Sequence, residues 1–259
     1  MEEYSIKSNV LAKLGYFFVL RIFANQSISN MANQFSTLIT LVLLFTGIHS
    51  LLAQGEINQH DDQGRKFGPW EARYPGGQPR YSGQFKNDRP VGTFHYFYEN
   101  GALRATNVFS NNGLKAYHNQ FTEEGTLIAE GMYFDQKKDS IWLIYSDVDG
   151  VLLSEERYKN DLLDGMKRIY YPGTNQIAEE TYYSAGLKNG KSIKYFEDGK
   201  LMLESAYVND ELDGAFTLYH ANGAKRTQGN FKEGLKTGKW VIYDEDGVEI
   251  SVDSYKENP

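Results

Sequence analysis

Cysteine is absent from all 259 residues. Its absence removes disulfides, thiolate metal sites and cysteine nucleophiles together, and leaves no N-terminal cysteine for lipid attachment. Positive charge is also short: 27 Lys and Arg stand against 34 Asp and Glu, giving a net charge of -7 and a pI near 5.3. A nucleic-acid binder needs a basic face to displace counterions from the phosphates, so nucleic acid is not expected as a partner, and anionic membranes are disfavoured for the same reason. The five histidines (His49, His60, His95, His118, His220) are dispersed and show no H-E-x-x-H spacing. Neither a G-x-S-x-G elbow nor a phosphate-binding glycine loop occurs. No catalytic residue, cofactor or metal is expected, and the chain reads as a non-enzyme.

Long apolar runs are scarce, with one exception. Phe35 to Ala53, FSTLITLVLLFTGIHSLLA, carries no charged side chain and is followed at once by QGEINQHDDQG. It reads as a cleaved export signal over 31–53, with residues 1–30 an N-terminal extension that a start at Met31 would remove. An uncleaved anchor over 35–53, with Lys7, Lys13 and Arg21 on the cytoplasmic side, and a buried helix are the alternatives. The expected location is therefore exported (periplasmic, cell-surface or secreted) or anchored through this segment, which is also the only expected membrane contact. Residues 54–66 read as a linker.

Aromatic residues are plentiful at 14% of the chain, and from Gly68 onward they recur. One column holds Phe97, Phe121, Tyr145, Tyr170, Tyr195, Tyr219 and Tyr243, in steps of 24 or 25. A second holds Phe85, Phe109, Tyr133, Tyr158, Tyr183, Tyr207, Phe231 and Tyr255. Between them lie Asn100-Gly101, Glu124-Gly125, Asp149-Gly150, Asp198-Gly199, Asn222-Gly223 and Asp246-Gly247, which read as two-residue type I′ hairpin turns. Each unit is thus strand, turn, strand and a seven-residue connector. With Asn222-Gly223 as the turn, Tyr219 is expected opposite Arg226, Leu218 opposite Thr227 and Phe216 opposite Gly229. That register puts Trp70, Phe94, Trp142, Phe216 and Trp240 on one packing face with Leu103, Leu127, Leu152 and Leu201. Gly83, Gly131 and Gly229 then fall opposite Trp70, His118 and Phe216, so that a ring can lie over bare backbone.

One connector, YVNDELDG (207–214), imitates the first half of a calcium loop, with Asn209, Glu211 and Asp213 on alternate residues before Gly214. Its sisters YKNDLLDG, YSAGLKNG, FKNDRPVG and FKEGLKTG lose the alternate oxygens, and the twelfth position is His220 instead of a glutamate. It reads as a connector.

The units GTFHYFYENGALRATNVF, GAFTLYHANGAKRTQGNF and GKWVIYDEDGVEISVDSY resemble MORN-repeat proteins, in the bacterial variant found in YwqK-type antitoxin components. The resemblance covers residues 67–257. It implies an all-β, elongated single-sheet solenoid of about eight 24-residue β-hairpin repeats, roughly 75 Å long for sixteen strands. For function it implies only a scaffold, since the repeat serves proteins of unlike activity.

The candidate partner-binding face combines Tyr145, Tyr170, Tyr195, Tyr219 and Tyr243 with Glu130, Glu155, Glu180 and Glu204, which hold equivalent places in four successive units. The tyrosines would supply contact area and the glutamates would select a basic partner. A solvated ladder partly neutralised by Arg168 and Lys194 is the structural alternative. The expected function is a non-catalytic exported scaffold that binds another protein or a surface polymer. An antitoxin-like or immunity-like role against a partner toxin is the alternative, and carbohydrate binding or hydrolysis the remote one.

Overall fold

The computed structural model describes residues 56–256; the expected signal or anchor lies outside the described residues. The strands of the first half are β1 (Gln59–His60), β2 (Lys66–Arg73), β3 (Pro79–Lys86), β4 (Arg89–Phe97), β5 (Leu103–Ser110), β6 (Lys115–Phe121), β7 (Leu127–Phe134), β8 (Lys137–Tyr145) and β9 (Leu152–Lys159). Those of the second half are β10 (Leu162–Tyr170), β11 (Ile177–Ser184), β12 (Leu187–Tyr195), β13 (Leu201–Val208), β14 (Glu211–Leu212), β15 (Gly214–Tyr219), β16 (Lys225–Lys232), β17 (Leu235–Tyr243) and β18 (Glu249–Tyr255). Each strand pairs antiparallel with the next, β14 and β15 sharing one flank of β13. The result is one open all-β meander, two of whose strands, β1 and β14, are only two residues long.

The turns differ from expectation in kind. At Asn100-Gly101 only the glycine is left-handed, with φ 88°. Gly101 N–H donates to Tyr98 O at 3.0 Å and Tyr98 N–H to Ala102 O at 2.9 Å. This is a three-residue loop, a type I turn closed by a glycine bulge. The two-residue turns with both residues left-handed lie instead in the connectors: Asn87-Asp88 (φ 53° and 63°), Asn160-Asp161 (51° and 69°) and Asn209-Asp210 (49° and 71°). Asn and Asp enter this region at low cost, and here the Asp carboxylate also reaches the preceding unit. Asp88, Asp161 and Asp210 accept the backbone N–H groups of Lys66, Lys138 and Lys188 at 2.8, 2.6 and 2.7 Å. In YVNDELDG, Asn209 and Asp210 thus form a hairpin turn, and Asp213 accepts Glu233 N–H and pairs with Lys232 at 3.2 Å.

A bulge moves the register by one residue, and a one-residue slip changes faces. Leu218 and Phe216 pair with Thr227 and Gly229 as expected, but Tyr219 pairs with Lys225 instead of Arg226. For the same reason the leucines leave the tryptophan face. Leu103, Leu127, Leu152 and Leu201 are the cross-strand partners of Phe97, Phe121, Tyr145 and Tyr195.

On the tryptophan face the glycines do admit rings, but from the following strand. A Cβ on Gly83 would sit 2.5 Å from the Phe94 ring, one on Gly131 2.3 Å from Trp142, and one on Gly229 2.2 Å from Trp240. Trp142 is 1% exposed; its indole N–H donates to Met132 O at 3.1 Å, and Lys138 Nζ lies 4.4 Å above the ring. Burying such a ring contributes at most about 4 kcal/mol. His60 of β1 meets Trp70 edge-on at 5.2 Å and closes the first end of this row.

In the middle of the same face polar side chains replace the rings. Lys167 pairs with Glu156 at 2.7 Å, and the buried hydroxyls of Thr181 and Ser192 share a hydrogen bond at 2.8 Å. Burial pushes the Glu156 pKa up, but hydrogen bonds from Lys167 and Tyr158 outweigh it and leave it lowered.

Candidate binding face

The opposite face carries a cross-strand row in unbroken register: Glu130, Leu143, Glu155, Arg168, Glu180, Ile193 and Glu204. Four of these seven are carboxylates, one per unit, because the repeat places the same residue type on the same strand position. The tyrosine column lies two residues further along the facing strands, so each tyrosine is the diagonal neighbour of a glutamate, within reach of a long side chain. Tyr145 donates to Glu130 at 2.5 Å, Tyr195 to Glu180 at 3.0 Å and Tyr219 to Glu204 at 2.6 Å.

The remaining two expected site tyrosines differ. Tyr170 has the same diagonal relation to Glu155, but Arg168 takes that carboxylate at 3.0 Å and Glu180 at 2.9 Å. Tyr243 pairs with Glu249 at the end of the sheet, where Gln228 stands in the glutamate row. The structure thus sets Glu130, Glu155, Glu180, Glu204, Tyr145, Tyr195 and Tyr219 along one row as three bonded clusters, Glu130 with Tyr145, Glu155 and Glu180 with Arg168 and Tyr195, and Glu204 with Tyr219, with Tyr170 beside the second and Tyr243 outside.

The carboxylates are already engaged, and not by the cations the sequence singled out in every case. Arg168 serves two of them, Lys191 pairs with Glu204 at 2.7 Å, and Lys194 turns to Glu179 at 3.4 Å. Glu130 accepts a second phenol, from Tyr117. Among the described residues it is the member of the row paired with hydroxyls alone.

The titration of these groups follows the contacts. The hydrogen bond to Glu130 pushes the Tyr117 phenol up to about 12. Burial, then the bond to Glu204, pushes Tyr219 up to about 12. The bonds from Lys191 and Tyr219 lower Glu204, and the bond to Glu180 raises Arg168.

Sequence reasoning missed the row alongside. Val108 pairs with Tyr117, Tyr117 with Met132, Ile141 with Arg157 and Met166 with Tyr182. Val108, Tyr117, Ile141 and Tyr182 remain 44%, 42%, 47% and 44% exposed. The available signal was alternation: Tyr117 stands two residues before Asn119, the cross-strand partner of Glu130, and Ile141 two before Leu143 of the central row. Among the described residues no cluster of His, Asp or Glu is arranged to hold a metal ion, and no helix is long and apolar enough to cross a membrane.

Fold and face together define a single-layer antiparallel repeat sheet. Residues 188–209, most of one unit, match the family described as MORN repeat variant, which supports placing these repeats with the MORN repeats. A solved structure titled "Crystal Structure of TcdB2-TccC3" is similar over 67% of this chain and 12% of that one, at 11% identity and a TM-score of 0.20. This chain therefore spans about 12% of the length of that one. None of the curated proteins matches the chain.

Proposed function

We propose that this protein is an exported, non-catalytic scaffold that binds another protein through the face carrying the glutamate row. The observation that carries this is the half-exposed apolar stripe of Val108, Tyr117, Ile141 and Tyr182 beside that row. Among the described residues no second layer covers this stripe, and clustered exposed apolar side chains mark interaction surfaces. The glutamates contribute less than their number implies. Glu155, Glu180 and Glu204 are matched by Arg168 and Lys191, so Glu130 is the carboxylate of the row left for a basic group of the partner. The apolar stripe favours a protein over a hydrated surface polymer.

Photo-crosslinking in the native cell tests this. A crosslinker at Ile141 should give one discrete protein adduct that weakens in Tyr117→Ala, while one at Val148, 87% exposed in a turn, should give none. Equal labelling at both positions, or no adduct at Ile141, would refute the proposal.

A further inference from the structure

The aromatic row on the tryptophan face has a gap at β5 and β6. Other units repeat one device: a left-handed residue near the start of the strand accompanies a bulge, and after Gly92, Ser140 and Gly238 the ring two residues later (Phe94, Trp142, Trp240) lies over a glycine. Gly92 (φ 67°), Ser140 (63°), Gly165 (113°), Gly190 (115°) and Gly238 (63°) hold that position, and the pairs β3–β4, β7–β8, β9–β10, β11–β12 and β16–β17 each carry the register shift.

The equivalent residue of β6 is Ala116, which is not left-handed. The pair β5–β6 consequently runs without a shift, and the residues displaced from the bulge enlarge the turn at Asn111, Asn112 and Gly113. Two further substitutions coincide with this one. Asn107 occupies the place of the ring-accepting glycine, and His118 the place of the tryptophan. Their side chains bond to each other, His118 Nδ1 to Asn107 Oδ1 at 2.6 Å, in place of a ring lying over backbone.

A cavity of about 650 Å³ opens there, within the range of roughly 300–1,000 Å³ typical of small-molecule sites. Tyr96, Phe109 and Tyr133 supply its rings, and Asn107, His118 and Gln120 its polar groups. Ala105 and Ala116, both buried, leave its floor shallow. Among the described residues its lining holds no carboxylate and one cation, the exposed Arg104.

We infer that this cavity binds a neutral saccharide, one or more pyranose rings set against the tyrosines with their hydroxyls on Asn107, His118 and Gln120. Three features select that chemistry. Aromatic rings offer flat apolar surface to the C–H face of a sugar. Amides and a neutral imidazole present donors and acceptors together, as vicinal hydroxyls do. With Nδ1–H donating to Asn107, Nε2 of His118 is an acceptor, and burial, opposed by Gln120, holds the imidazole below its ordinary pKa and so uncharged near neutrality. A lining without a carboxylate pair makes this a binding site and not a hydrolase site. The site stands on the opposite face from the protein-binding stripe and is independent of it.

Calorimetric titration of the full chain with cellotriose, maltotriose and the N-acetylglucosamine trimer tests the inference, with the fluorescence of Trp142, whose ring lies 5.7 Å from His118, as a second readout. At least one trimer should bind with a Kd below about 1 mM. The double replacement Asn107→Gly with His118→Trp restores the neighbouring pattern and fills the cavity. It should weaken binding about tenfold or more with the circular dichroism of the fold retained. Gln120→Leu should also weaken binding about tenfold, and decides the matter if the double variant does not fold. Absence of binding by all three trimers, binding confined to an anionic oligosaccharide such as a glucuronic acid trimer, or affinity unchanged by the replacements would overturn it.

Discussion

Replacing Gly131 by alanine isolates the contact between backbone and ring. The residue is not left-handed, so alanine fits the backbone, and the lower entropy of the unfolded chain alone would stabilise the variant by about 0.4–1 kcal/mol. Against that, the new methyl carbon would lie 2.3 Å from Trp142, a ring 1% exposed, pinned by Lys138 above it and by its own hydrogen bond to Met132. The ring has to move, and overpacking of this kind costs about 1–3 kcal/mol. Less the entropic gain, the net destabilisation is up to about 2.6 kcal/mol, which lowers Tm by up to roughly 10 °C for a domain of this size. Gly76→Ala is the control: no atom lies within 4 Å of its added carbon and its φ is not positive, so its stability should hold or rise slightly. Urea unfolding followed by tryptophan fluorescence and by circular dichroism would compare the two. A Gly131→Ala protein as stable as Gly76→Ala would refute the idea that rings over bare glycine backbone hold this face together.

Three further outcomes are expected. Glu130→Gln should return the Tyr117 phenol from about 12 toward its ordinary value of 10, seen as an additional tyrosine ionising near pH 10 in an ultraviolet titration. Because that folded-state pKa is raised, the bond to Glu130 stabilises the wild type fully below pH 10 and is lost as pH rises toward 12; in Glu130→Gln this part of the alkaline decline should disappear. The lowered Glu204 behaves in the opposite sense: its stabilisation is present above the ordinary carboxylate value of 4.5 and lost as pH falls through the lowered one, so Lys191→Met should flatten the acid limb of a Tm against pH curve. Asp210→Gly keeps the left-handed turn but removes the acceptor for Lys188 N–H, and should cost about 1 kcal/mol in urea unfolding, with no change in Tm on adding calcium to either protein.

The repeat and its strands were legible because period and alternation are local properties of the chain. Phe85 to Tyr255 mark one column and Phe97 to Tyr243 the other without any knowledge of contacts. The turn types were not legible, because Asn-Gly and Asn-Asp both tolerate positive φ. The choice between them is fixed by Asp88, Asp161 and Asp210 bonding to backbone some 22 or 23 residues away. That choice also carried the leucines to the other face. In the candidate site, the glutamate and tyrosine columns could be read from spacing, but their hydrogen bonds and the role of Lys191 depend on diagonal neighbours across the sheet. The cavity left a signal in the sequence, the coincidence of Asn107, Ala116 and His118 at three positions where other units carry glycine or a large ring. Its meaning required the missing bulge.

The connections between units also determine how the sheet responds to tension. Tyr74, Tyr98 and Tyr171 each donate to a carbonyl of the following unit, at Phe97, Phe121 and Tyr195, and these bonds, like the strand ladders, run across the strands. A pull between the two ends of a meander loads such bonds one row at a time, as in a zipper, instead of shearing many together. Held at both ends, the protein would yield at modest force by releasing single hairpins, each of 24 or so residues paying out roughly 80 Å of chain, and would re-form them singly when the load is removed.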